Sequence, residues 1–409
     1  MLQQPDSKKQ VAPSEPAHSS FLNRITSAEG SSGKVTDLFC FSHLRWNFVY
    51  QRPQHLLSRA SGQWRTWFWE EPVRDERNWL EVRSLSNQRY VVVPHLQPGL
   101  SEEKIALQQK EWVNQILSQH QITDYIAWYY TPMALSFTDH LRARLTIYDC
   151  MDELSAFHGA PPQLRSRERQ LMQRADLLFT GGYSLFEAKR ALHSAVYAFP
   201  SSIDFDHFAQ ARQGLTDPAD QQSLATPRIG FAGVIDERFD TELLRTVALR
   251  RPDWQFILIG PVVKINPAIL PKGPNLHYLG LKSYNNLPNY FSYWQAAMLP
   301  FALNESTRFI SPTKTPEYLA AGLPVVSTPI QDVVTTYGRY SMVSICDSAE
   351  TFEQAIEKAL NSRGSLDWSG VDTFLQNHSW DRTWAAMLEL IEGKLQLTSS
   401  RSGALKDLD

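Results

Sequence analysis

Apolar and polar positions alternate between two periods along the chain. Short apolar runs of strand length recur at residues 37–42, 66–69, 90–93, 125–129, 145–148, 177–180 and 195–199. Between them lie stretches of helical period, notably 53–59, 102–119, 163–174 and 184–192. Strand and helix stretches thus alternate along the chain. That is the pattern of parallel strands buried on both faces by helices. Residues 200–227, with Pro, Ser, Asp, Gln and Thr and no sustained period, read as a linker. A second alternation then begins at Arg228, with strands at 229–233, 254–259, 276–279, 296–301, 325–326 and 342–345. Its helices are expected at 241–250, 287–294, 315–321 and 352–360, and an amphipathic helix follows at 380–395.

The pattern predicts an α/β protein of two doubly wound parallel-sheet domains, over residues 34–205 and 206–379. Residues 1–33, rich in Ser, Pro, Gln and Ala, are expected to form a disordered tail, and residues 398–409 a second tail. At 409 residues the chain is too long for one ordinary core. A formal net charge of −3 argues against a dedicated nucleic-acid binder. No apolar run reaches a membrane span of roughly 18 residues, and no secretory leader pattern opens the chain. Cys40, Cys150 and Cys346 show no metal spacing, and a reducing cytoplasm suits them.

Function in open parallel sheets gathers in the loops after strand C-terminal ends. Residues 311–327 read as loop, helix, tight turn and buried strand. Pro312 and Pro316 favour a helix start, Thr313 or Thr315 can cap it, and Gly322 ends it. Lys314 adds a positive charge at that start, suited to a phosphate, and Glu317 is one turn on, suited to a ribose diol. Gly233 closes one strand and Arg238 follows just before a helix. Arg238 either forks onto phosphate oxygens or pairs with Asp236 or Asp240. Gly280 ends another strand, where backbone groups could meet a base. In the first domain, His43 follows the first strand as a polar contact or base. Asp149, Asp152 and Glu153 crowd together after the strand at 145–148. Crowded carboxylates raise one another's pKa, which suits a general base, although a helix cap and surface turn would also use them. Gly230-Phe231-Ala232-Gly233 is not a dinucleotide fingerprint, and no phosphate-binding P-loop occurs.

The block Lys314-x-x-Glu317-Tyr318-x-Ala320-x-Gly322-x-Pro324-Val325-Val326 resembles the nucleotide-diphosphate segment of GT-B glycosyltransferases. It is closest to family 4, group 1, including teichuronic-acid-type enzymes, and the likeness covers roughly residues 35–395. The resemblance implies two Rossmann-like domains facing across a cleft, with the helix at 380–397 returning to the first. It implies a nucleotide-diphosphate sugar donor, UDP- or GDP-linked, and a glycan or lipid-linked acceptor. No cofactor and no metal are expected, and Asp149, before Asp152, matches the family's sugar-facing polar position. Arg238 would face Lys314 across the diphosphate. The implied setting is cell-surface polysaccharide or glycolipid synthesis in the cytoplasm, with peripheral contact with the inner membrane face. A sugar-nucleotide epimerase and a non-catalytic nucleotide-binding module share this fold. The sequence departs from the family at Phe309, where many retaining members carry a first glutamate; Glu305 is out of register with it.

Overall fold

The computed structural model describes residues 35–406. The tail expected at 1–33 lies outside the described residues. The N-terminal strands are β1 Asp37–Phe41, β2 Arg65–Trp69, β3 Val73–Arg74, β4 Trp79–Ser86, β5 Arg89–Leu96, β6 Tyr125–Tyr129, β7 Leu145–Cys150, β8 Leu177–Thr180 and β9 Val196–Ala198. The C-terminal strands are β10 Arg228–Ala232, β11 Gln255–Ile259, β12 Leu276–Gly280, β13 Ala296–Leu299, β14 Val325–Ser327 and β15 Val343–Ile345.

The first sheet runs β3-β5-β2-β1-β6-β7-β8-β9 and is parallel along that path, with β4 antiparallel to β5. The second runs β12-β11-β10-β13-β14-β15 and is parallel throughout. Strand residues alternate between two cores. Phe39 and Phe41 enter one cluster, while Leu38 and Cys40 enter the cluster on the opposite face. Both faces are therefore covered, which is why the central strands are mostly apolar on both sides. The three cysteines are buried and unbridged.

Several elements had no expectation behind them, the strand Val73–Arg74 and the helices Leu135–Thr138 and Gln331–Tyr337 among them. The strand Trp79–Ser86 lies at the sheet edge with mostly exposed or half-exposed residues, and Glu81 and Arg83 within it hide its apolar signal. The helix Ser369–Gln376 is short, with Val371 and Leu375 its buried residues. The interdomain segment, read as linker, contains the helix Phe205–Ala209, anchored by fully buried Phe208.

The last helix, Trp380–Lys406, continues past residue 397, where the sequence pattern ends it. Its Trp380, Trp384, Met387 and Ile391 fill one face of the N-terminal sheet. His55 stacks on Trp380 with centroids 4.5 Å apart, and Arg59 Nε meets Asp381 Oδ1 at 2.7 Å. None of the described helices is long and apolar enough to cross a membrane.

Each sheet reverses its strand order once near the centre. In the first sheet β1 is flanked by β2 and β6; in the second, β10 is flanked by β11 and β13. The loops after β1, β10 and β13 thus sit where ligands enter open α/β sheets.

Candidate active site

The loop after β10 is held rigidly. Gly233 N donates to Ile259 O at 2.8 Å, and Phe239 bridges Phe301 beside β13. A Cβ on Gly260 would sit 1.8 Å from Gly233 O, so the loops after β10 and β11 touch backbone to backbone. Gly260 N in turn donates to Gly280 O at 2.9 Å, and Gly280 has φ +70. Gly233, Gly260 and Gly280 therefore form a glycine-lined floor at three adjacent strand ends. Gly233 serves this close approach; Gly280 holds a left-handed turn that a side chain would strain.

Arg238 lies farther along the loop that Gly233 opens. Its Nε and Nη2 fork onto Asp236 at 2.9 and 2.8 Å, the pairing left open by the sequence; Asp240 instead caps the next helix through Glu242 and Leu243 N–H. The Arg238 guanidinium also lies 5.2 Å from the Phe157 ring centroid of the N-terminal domain. His158 N donates to Glu237 Oε1 at 3.0 Å, tying the same two loops across the domain seam.

Asp152 shares this group. Burial, opposed by Arg238 and reinforced by Asp236, pushes its carboxyl up to about 6. That is a proton acceptor poised near neutrality. His43, after β1, has its ring pushed down to about 4, by burial and then by the Lys264 charge. Its Nδ1 is buried without a hydrogen-bond partner. At neutral pH it is an uncharged polar wall and a weak base.

Asp149 requires a correction. Its carboxylate is fully buried, with Arg52 Nε at 3.0 and 3.1 Å and Arg52 Nη2 at 2.9 Å. Arg52 Nη1 then donates to Phe199 O at 2.7 Å. Both carboxylate oxygens are engaged by that buried guanidinium, so Asp149 is held within the fold rather than open to the seam. In this arrangement Asp149 braces the sheet and Asp152 faces the seam. Glu153 is likewise occupied, by Lys189 Nζ at 2.6 Å.

A second charged group surrounds the helix Lys314–Ala320. Lys314 and Glu317 form an ion pair. Glu317 is 5% exposed, and burial raises its carboxyl pKa while Lys314 opposes the rise. Thr313 precedes the helix but makes no side-chain cap bond, and Thr315 Oγ1 is buried with no partner. The cap expected from one or the other is therefore not made; Gly322 does end the helix, at φ +73.

Aromatic groups that the sequence left unmarked wall this pair. Tyr284 stacks on His207 at 4.7 Å and meets Tyr50 at 4.8 Å, and His55 feels the Lys314 charge. Tyr284 follows the Gly280 turn, a strand-end position that could have drawn attention. His55 lies inside a helix, where nothing local distinguishes it. Phe309, at the position of the family's first glutamate, packs against the N-terminal core. The structure thus gathers Arg238 with Asp152 and His43, and Lys314 with Glu317, in two separate groups along one seam.

Residues 226–362 match the family model described as Glycosyl transferases group 1. TuaH of Bacillus subtilis, named for a glycosyltransferase of teichuronic acid biosynthesis, is 26% identical over 235 residues, covering 53% of this chain and 59% of that protein. Sucrose-phosphate synthase from Thermosynechococcus elongatus superposes with a TM-score of 0.64 at 15% identity, covering 89% of this chain and all of the other. A trehalose-6-phosphate structure from E. coli, bound with UDP-2-fluoro glucose, superposes at 0.56 with 13% identity over 90% of this chain and 98% of the other. Residues 226–362 thus resemble the group 1 glycosyl transferases, and the two parallel-sheet domains share the GT-B architecture of these solved structures.

Proposed function

We propose that the protein transfers a hexosyl group from a UDP- or GDP-linked sugar to a glycan or lipid-linked acceptor. The observation that carries this is the buried Glu317–Lys314 pair of the family-matched segment, with Tyr284 and the preceding linker's His207 beside it. Glu317 holds the ribose diol; Lys314 and Arg238 hold the diphosphate. Their present partners, Glu317 and Asp236, keep these cations neutralised until the donor arrives. Asp152 accepts the proton of the acceptor hydroxyl as its oxygen attacks the anomeric carbon. The bond from that carbon to the diphosphate breaks, and the nucleoside diphosphate leaves.

The reaction as proposed uses no metal, because Lys314 and Arg238 take the leaving group's charge. The teichuronic name of the B. subtilis relative supports a role in cell-surface polysaccharide or glycolipid synthesis at the cytoplasmic membrane face. Isothermal titration of UDP and GDP tests the donor site. Lys314→Ala should weaken the nucleotide that binds by about tenfold or more, corresponding to about 1.4 kcal/mol; unchanged affinity refutes the assignment. A donor screen read by released nucleoside diphosphate, with and without acceptor, separates transfer from epimerisation and from binding without turnover.

A further inference from the structure

Arg238, Lys264 and Lys314 bring positive charge to the seam from the C-terminal domain. Arg238 and Lys314 are already neutralised, by Asp236 and Glu317. Lys264 is exposed, and among the described residues no carboxylate comes within 4.0 Å of its ammonium. It lies instead 5.3 Å from the Phe157 ring centroid, the ring that also carries Arg238 at 5.2 Å.

The backbone at Lys264 is unusual. Its φ is +61, and Gln121 is the other non-glycine residue with positive φ among the described residues. For a residue with a Cβ this is a strained conformation. The loop is pinned in that shape by the Ile235–Val262 bridge and by Val263 N donating to Ile235 O at 3.0 Å. Strain held by surrounding structure at a strand C-terminal end is a mark of a functional position. Besides Arg238, the groups reached by the charge of the ammonium, including Glu71, come from the opposite domain. Phe157 lies beneath it, and its charge acts on Asp152 and His43. It therefore stands with the acceptor-facing groups and apart from Lys314 and Glu317.

We propose that Lys264 binds an oxyanion, a carboxylate or a phosphate ester, carried by the sugar substrates in addition to the donor's diphosphate. This rests on the glycosyl-transfer reading. A cation already seated on an aromatic face loses little freedom when it binds, and without its own carboxylate it has nothing to surrender. An uncharged sugar at the same place would leave the ammonium merely solvated. Lys264 thus sets a preference for an acidic sugar, as the group transferred or as the acceptor.

The test is titration calorimetry on the full chain, comparing wild type, Lys264→Ala and Lys264→Arg. The probes are UDP and GDP, UDP-glucose against UDP-glucuronate, and glucose against glucose 6-phosphate in the presence of nucleotide. In Lys264→Ala, affinity for UDP, GDP and the neutral sugars should stay within about twofold, while an acidic probe loses about tenfold or more and Lys264→Arg restores most of it. Loss confined to UDP-glucuronate puts the oxyanion on the transferred sugar; loss confined to glucose 6-phosphate puts it on the acceptor. Equal losses for UDP and the acidic probes would make Lys264 a diphosphate ligand and overturn the proposal, as would no loss for any probe. A wild type that binds neither UDP nor GDP would overturn the glycosyl-transfer reading itself, a result distinct from either.

Discussion

Replacing Asp149 separates a bracing carboxylate from a catalytic one. Its oxygens and the Arg52 guanidinium are 0% and 4% exposed and make three contacts of 2.9–3.1 Å. Asp149→Ala would strand the Arg52 charge in the sheet, with the Phe199 carbonyl as its remaining acceptor. Removing one partner of a buried ion pair costs about 3–5 kcal/mol, because the other charge stays desolvated. Domains of this size lose about 2–4 °C in Tm per kcal/mol, so a fall of about 6–20 °C is expected for the N-terminal domain. Arg52→Met combined with Asp149→Leu removes both charges together. It should recover much of that loss, since an apolar pair of similar volume is often neutral or stabilising. The assay is a double-mutant cycle by thermal and urea denaturation, run beside donor turnover. If Asp149→Asn keeps the wild-type Tm while turnover disappears, the bracing role is wrong and Asp149 belongs to the chemistry.

Three further outcomes are expected. If the Asp152 carboxylate takes the acceptor proton, turnover should rise with pH through about 6 and flatten above it, and Asp152→Asn should abolish that limb; a profile flat from pH 5 to 7 would refute it. The same raised pKa means the folded chain keeps a proton that the unfolded chain gives up, so this group's stabilising share is present below about pH 4 and fades as pH rises through about 6. Gly182→Ala should disrupt domain docking, because its Cβ would fall 2.2 Å from Asp332 Oδ2, the carboxylate that accepts Tyr183 and Ser184 N–H across the seam at 3.0 Å each. Small-angle scattering should then show a larger radius of gyration, and an unchanged value would count against the clamp. Gly230→Ala would put a methyl 2.0 Å from the buried Trp294 indole and should cost about 1–3 kcal/mol by denaturation, with no loss expected only if the ring has room to move.

Much of the architecture was legible because its causes are local. Short apolar-rich strand runs such as Asp37–Phe41 and Gln255–Ile259, alternating with helical stretches, announce parallel sheets covered twice. Lys314, Glu317, Gly322 and Pro324 fall within one short stretch, so their spacing alone suggested a ligand-binding helix start. Arg238 could be seen to have two fates, a phosphate or a neighbouring aspartate, and folding places it on Asp236. The strand Trp79–Ser86 was not legible, since its place is set by pairing with Arg89–Leu96 and one side of it stays exposed.

By itself the sequence determined the two-domain α/β layout, its strand-end loops and the Lys314–Glu317 helix start. Those follow from periodicity and turn chemistry, which act over a few residues. Only the tertiary structure decided which of three neighbouring carboxylates faces the seam. Asp149 is claimed by Arg52, 97 positions away in sequence, and Glu153 by Lys189, 36 positions on. It also brought Phe157 of one domain beneath Arg238 and Lys264 of the other. Charge compensation between distant segments depends on how the sheets pack, and no local pattern encodes it.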